Sequence, residues 1–460
     1  MNYLFDLVQL IASNIWLYGG TFVLVLSVLV FVHEFGHYFV ARLCGVQIET
    51  FSIGFGKEIF GITDRKGTRW KFSIVPLGGY VKMFGDTDPA SAGHTEGVED
   101  HGEVRPFTEE EKKVAFFAKP VAQRSAIVFA GPAINFIFAV LLLSGLYVFY
   151  GQPITPPLAA SIIVGSAADK AGFEPHDRIV KIDDVEIDRF EDIRREVMVA
   201  LDTPLEFTVE RGDKKIILTA IPEREESRDR FGFKHSKGLL GIIGPSNGFL
   251  LENVLSVNGT SVKGADAARK AIRPKLGRDI VVELDRGEEI NKLKVRPLAE
   301  MNEGWKNPEG KDYNVLVVAG TLSEDFIKPG VFGGIRNAFT ETGNISASTM
   351  KALGQIVTGT RSPTELGGII RIGAIAGDMA QLGFAALITF TALLSINLGL
   401  INLFPIPMLD GGHLLFYAVE AVKGSPIPEK NQEHAFRFGL GFLIAIMLFT
   451  NLNDIIQLIL

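Results

Sequence analysis

The stretch "VLSVLVFVHEFGHYFVARLCG", Val25 to Gly45, is apolar enough to lie in a bilayer, yet it carries His33, Glu34 and His37 in its middle. Ionisable groups at that depth are costly and mark functional sites. On a helix His33 and His37 stand one turn apart on one face, with Glu34 beside them. The His-Glu-x-x-His spacing suits two neutral imidazoles that hold zinc, while the carboxylate takes a proton from the attacking water. The alternative is a buried, mutually hydrogen-bonded pair that holds helices together.

A catalytic zinc needs three protein ligands. No Gly-x-x-His continuation follows His37, and Glu49 comes too soon, on a non-helical stretch. The best candidate is Asp410 in "SINLGLINLFPIPMLDGGHLL", where Pro405 and Pro407 break a spanning helix and Gly411-Gly412 permit tight backbone geometry. His413 competes as ligand, and an Asp at this place also suits the cap of the next helix.

Composition agrees with a membrane chain. Of 460 residues, 47% are hydrophobic and 22% charged, which is too long for one ordinary domain and too apolar for most soluble enzymes. The net charge of −7 offers no basic surface, so nucleic acid is excluded as a partner. A single cysteine, Cys44, rules out an internal disulfide and a cysteine-rich metal site; it reads as a small apolar residue. Metal chemistry must rest on His, Asp and Glu.

Four stretches are long enough to span roughly 30 Å of hydrocarbon as helix: about 16–43, 125–150, 382–404 and 436–460. The first lacks a basic segment before it and is expected to stay in the mature chain. Residues 1–15 contain no Lys or Arg, whereas Arg42, Lys112, Lys113, Lys119 and Arg124 crowd the interval between the first two stretches. That interval is therefore expected on the cytoplasmic side, with residues 151–381 and both termini on the other.

Ala168, Ala171-Gly172-Phe173, the His176-Asp177-Arg178-Ile179-Val180 run and the Asp183-Asp184 turn follow an order that resembles a PDZ domain, and "NVLSVNGTSVKGADAARKAI" repeats it. The expected fold is therefore a polytopic α-helical membrane protein of four transmembrane helices, with a membrane-associated β-hairpin or sheet and tandem PDZ-like α/β domains. Residues 1–45 hold the first helix and 46–120 the cytoplasmic hairpin region, in which "FSIGFGKEIFG" and "TRWKFSIVPLGGYVKMFG" alternate as strands do. Residues 86–113 are acidic and turn-rich and read as mobile surface. The second helix occupies 121–150. Residues 152–224 and 237–300 read as two α/β modules, the second lacking the strand and short helix that should precede "GFLLENVLSVNG". Amphipathic helices on the membrane surface are expected over 330–380, where Phe332, Ile335, Phe339, Met350, Leu353 and Ile356 recur at helical spacing. The third helix follows at 382–404, the Leu-Asp-Gly motif and a cytoplasmic loop at 405–434, and the fourth helix at 436–460. Gly131-Pro132 should kink the second helix, and Asn135 should bond a neighbouring helix. His94, His101, His176, His235 and His434 read as isolated surface residues.

Together these motifs resemble the site-2 protease family of intramembrane zinc metalloproteases, most closely its bacterial regulator of sigma-E protease (RseP) branch. The resemblance rests on His33-Glu34-Phe35-Gly36-His37, Pro76-Leu77-Gly78-Gly79-Tyr80-Val81-Lys82-Met83, Gly131-Pro132 with Asn135, Asn402-Leu403-Phe404-Pro405, Leu409-Asp410-Gly411-Gly412 and the tandem PDZ-like pattern. It implies zinc as cofactor, His33, His37 and Asp410 as ligands, Glu34 as general base, and Asn402, Pro405 and Pro407 as residues that hold an unwound substrate. It also implies single-span membrane substrates, anti-sigma factors and remnant signal peptides among them, in a bacterial inner membrane. "ELGGIIRIG" departs from the branch, which has a proline where Gly368 stands, and a looser joint into the third helix is expected there. A substrate laid against the hairpin at Gly78, Gly79, Tyr80 and Val81 would have its freed backbone groups satisfied by strand addition. The PDZ-like modules would either exclude bulky substrates or capture a new carboxyl end. Two other classes compete: a membrane-tethered PDZ receptor or scaffold with a vestigial metal site, and a zinc transporter, which has no use for Glu34.

Overall fold

The computed structural model describes residues 16–86, 98–100, 103–245, 248–285, 287, 290–302, 314–319 and 326–459. Of the acidic stretch expected to be mobile, residues 87–97 and 101–102, with His94 and His101, lie outside the described residues, as do residues 1–15 and 460. Among the described residues four helices are long and apolar enough to cross a membrane: Trp16–Leu43, Val121–Phe149, Phe384–Asn402 and Lys430–Ile459.

The first two spans cross where their side chains are smallest. A Cβ built on Gly36 would lie 2.3 Å from the carbonyl oxygen of Ala130, and one built on Gly131 would lie 2.3 Å from His37 Nε2. Only glycine lets the backbones approach this closely, the usual device of helix pairs in lipid. The third span joins them: Ser395 Oγ donates to the Asn135 carbonyl at 2.8 Å, and Gly399 faces the Pro132 carbonyl.

After the first span the chain turns at Gly45 (φ +69°) into strands Ile48–Thr63 and Arg69–Met83. The pairing doubles back: Phe51 lies opposite both Val81 and Trp70, and Ile53 opposite both Gly79 and Phe72. Residues 50–53 are therefore the middle of the sheet, and 79–83 form an edge with no further strand beside it among the described residues. Phe51, Val81 and Met83 are buried with Ala41, Ile127 and Tyr417, which fixes this sheet against the first two spans.

The two α/β units are interlocked. The first has a four-stranded sheet ordered Lys214–Ala220, Leu205–Arg211, Arg178–Ile182, Val185–Glu186. The second sheet has six strands, and one of them, Ser161–Ile163, comes from the sequence of the first unit, set between Ile242–Ile243 and Ile290–Val295. Ile163, Ile162 and Ser161 stand opposite Leu293, Lys294 and Val295. The place of the strand that the second repeat lacks is thus filled from outside it; Ser246 and Asn247, where the repeat is interrupted, lie outside the described residues. His176 is not an isolated surface residue, since its Nε2 lies 2.6 Å from the Val318 carbonyl across the same junction.

The first unit is bolted to the helices of the membrane part at several points. The hairpin Glu223–Arg228/Lys234–Leu239 buries Phe231 and Phe233 with Tyr18, Ala374 and Leu458. At the start of the helix Phe190–Val199, its capping residue Arg189 pairs with Glu341 of the helix Gly330–Thr358 at 3.0 Å. That longer helix buries Gly334, Ala338 and Thr342 and leaves Phe332 and Phe339 exposed. The joint at Gly368 is held rather than loose: Asp454 Oδ2 of the fourth span accepts from the Gly368 and Arg371 amides at 3.0 and 2.9 Å, and Asn451 Oδ1 from Ile369 at 3.2 Å. A proline at 368 would lack the N–H that makes the first of these bonds.

Candidate metal centre

The third span ends at Asn402, and the chain returns through Pro405 and Pro407 to the helix Asp410–Lys423. The return is tight: Met408 takes a left-handed conformation (φ 81°), and Cβ atoms on Gly411 and Gly412 would lie 2.3 and 2.4 Å from the carbonyls of Leu403 and Ile406. Both glycines are therefore obligatory where Asp410 starts its helix, and the carboxylate is aimed back at the first span. Arg124 ties this helix to the second span, reaching Glu420 at 2.6 Å and lying over the Tyr417 ring.

His33, His37 and Asp410 come together here, and they are the group of potential metal ligands found among the described residues. His33 Nε2 lies 3.3 Å from His37 Nε2 and 3.2 Å from Asp410 Oδ2; His37 Nε2 lies 3.6 Å from the same oxygen. Zinc at about 2.0–2.1 Å from tetrahedral N and O donors requires donor separations of about 3.3–3.4 Å. The triangle fits that ion closely. Asp410 Oδ2 is buried without a hydrogen bond, as an oxygen reserved for a cation would be. Both imidazoles are turned by the second span: His37 Nδ1 lies 2.9 Å from the Ile127 carbonyl, and His33 Nδ1 lies 3.1 Å from the Asn135 amide. This leaves both Nε2 atoms facing Asp410.

A cavity of about 370 Å³ opens beside the triangle. Glu34, Asn402, Met408 and His413 line it, and so do Gly79, Tyr80, Val81 and Met83 of the free strand edge. Asn402 Nδ2 is 3.5 Å from His33 Nε2. A Cβ on Gly79 would lie 3.0 Å from Glu34 Cγ, so the strand passes directly over that carboxylate's stem. His413 lies on the cavity wall with its ring 5.0 Å from Phe436, outside the ligand triangle. Gly78, Pro405 and Pro407 do not line the cavity: Gly78 backs onto the Phe55 ring, and Pro407 is pressed against Gly439 of the fourth span. Sequence reasoning assigned Asn135 to helix packing and did not find its approach to His33; the only signal was a polar side chain within a spanning helix.

The model of peptidase family M50 matches residues 21–446. A protein of Agrobacterium fabrum named as a zinc metalloprotease is 37% identical over 438 residues, covering 95% of each chain. A Brucella suis protein named in the same way is 37% identical over 434 residues, 94% of each chain. The Regulator of sigma E protease of Haemophilus influenzae is 33% identical over 461 residues, 95% of this chain and 98% of its own. A membrane-spanning helical chain with a two-histidine, one-carboxylate centre, matched over nearly its whole length, belongs to peptidase family M50, the site-2 proteases, and is a zinc metalloprotease.

Proposed function

We propose that this enzyme cleaves single-span membrane proteins within the bilayer of a bacterial inner membrane, with anti-sigma-factor-like proteins and remnant signal peptides as the substrate class. The observation that carries the reading is the ligand triangle opening onto a cavity walled by an unpaired strand edge. Peptide bonds in a transmembrane helix are shielded by their own hydrogen bonds, so the site must unwind its target before water can reach it. The edge Gly79–Met83 supplies the backbone partners for an extended substrate, as strand addition does elsewhere.

His33, His37 and Asp410 are the zinc ligands in this reading. Zinc held by them would polarise the scissile carbonyl and make water nucleophilic near neutral pH. Glu34 takes the proton of the attacking water and delivers it to the leaving amine, so the peptide C–N bond breaks as a C–O bond forms. Asn402 directs its amide N–H at the substrate backbone or the developing oxyanion. Pro405 and Pro407 act at one remove, by holding the turn that sets Asn402 and Asp410.

The α/β units read as PDZ-like domains on the periplasmic side that restrict access, because the first is fixed to the first and fourth spans at the Phe231–Phe233 hairpin and to the helix Gly330–Thr358 at Arg189. Purified enzyme in bilayers should be given one single-span substrate with and without a folded ectodomain. Products cut inside the span should appear from the trimmed form, and deleting 152–327 should extend cleavage to the untrimmed form. Absence of any cut within the span from all single-span substrates tried would refute the proposal.

A further inference from the structure

We propose that Asn135 is a positioning residue that fixes which nitrogen of His33 faces the metal; the inference rests on the zinc reading above. The two histidines are oriented by different devices on the same helix. His37 Nδ1 meets the Ile127 carbonyl at 2.9 Å, and a carbonyl can only accept. His37 must then carry its proton on Nδ1, with the Nε2 lone pair free toward Asp410. His33 has no such carbonyl. Its Nδ1 meets a side-chain amide at 3.1 Å, which can present either its nitrogen or its oxygen.

The surroundings leave that amide little else to do. Asn135 is completely buried, its Oδ1 has no hydrogen-bond partner, and its backbone is pinned by Ser395 at 2.8 Å. In the orientation described, the amide nitrogen faces His33. Ligation through His33 Nε2, the atom at the apex of the triangle, requires the ring proton on Nδ1. The amide must then turn by half a rotation so that Oδ1 accepts that proton, a change that needs no extra volume. A metal-binding histidine held through its other nitrogen is the general pattern, and loss of the partner typically costs about 10–100-fold in metal affinity or activity. A residue that merely glued helices would have no reason to spend its one polar contact on a ligand's ring.

The test uses the full-length protein in detergent micelles, with zinc affinity measured by chelator competition and the visible spectrum recorded after cobalt replacement. Asn135→Leu, which suits a lipid-embedded helix, and Asn135→Ala should both weaken zinc by about 10–100-fold and shift the cobalt bands. Asn135→Asp keeps an acceptor oxygen at the same place and should hold zinc within a few-fold of the parent protein. Using both Leu and Ala keeps the test standing if one variant fails to insert. The inference is overturned if both apolar variants bind zinc as the parent does, even where their thermal stability falls, or if Asp loses zinc as fully as Leu. Parent protein that binds no zinc would instead overturn the zinc reading itself, a result that the chelator titration separates from the others.

Discussion

Replacing Gly131 by alanine perturbs the centre without replacing a ligand, a base or a substrate contact. The added methyl would sit 2.3 Å from His37 Nε2, 2.4 Å from His37 Cε1 and 2.9 Å from His33 Cε1. Ordinary van der Waals contact begins near 3.4 Å, so the His37 ring must retreat by about 1 Å. Metal–ligand distances tolerate only about 0.2 Å, and a misplacement of about 1 Å can cost on the order of 100-fold in rate. The retreat is opposed by the Ile127 carbonyl that holds the other side of the ring. Zinc affinity should therefore fall by about 100-fold, with cleavage falling at least as far. Global stability should fall by no more than about 2.5 kcal/mol, since overpacking of about 1–3 kcal/mol is partly offset by the gain of about 0.5–1 kcal/mol from removing a helical glycine. Gly145→Ala on the same helix is the control, because nothing lies within 4 Å of its added methyl. Chelator competition and a cleavage assay on both variants decide the matter. Gly131→Ala with the parent's zinc affinity and turnover would refute the close approach on which the geometry rests.

Asp410→Ala should weaken zinc severely while the spans still insert, and His413→Ala should leave zinc affinity unchanged; the reverse order in a metal titration would move the third ligand to His413. Excised residues 237–300 should show no cooperative thermal transition, because strand Ile290–Val295 loses its partner Ser161–Ile163, whereas 152–327 should unfold cooperatively; a cooperative transition from the shorter piece would refute the interlock. Burial pushes the Asp169 carboxyl up, but the Gly165 amide and the Lys294 ammonium outweigh it and hold that carboxyl below its usual range. Its contribution is present at neutral pH, above the unfolded value of about 3.9, and is lost as pH falls through the lower folded value. Melting of 152–327 followed from about pH 6 to about pH 3 should fall more steeply for the parent than for Asp169→Asn, and equal slopes would contradict the pairing across the units.

The histidine pair and Glu34 were legible because helical spacing is a local property: residues 33 and 37 share a face wherever the helix goes. Asp410 was only a best candidate from the residues, since its approach to His33 depends on Met408, Gly411 and Gly412 folding the chain back on itself. The doubling of Phe51 between Val81 and Trp70 was not legible, because alternation shows a strand and not its second neighbour. The capture of strand Ser161–Ile163 by the second unit was hidden for the same reason: backbone pairing carries almost no side-chain signature. The tight joint at Gly368 escaped because its cap, Asp454, lies 86 positions away on another span.

The central claim is that His33, His37 and Asp410 hold zinc for hydrolysis inside the membrane with Glu34 as the proton carrier. Glu34→Gln separates the parts, since it keeps size and removes the base. Zinc per chain and the rate of cutting within a single-span helix should be measured on the same sample. The expected result is about one zinc per chain, as in the parent, with cleavage reduced by about 100- to 10,000-fold. Cleavage by Glu34→Gln at the parent's rate would contradict the account.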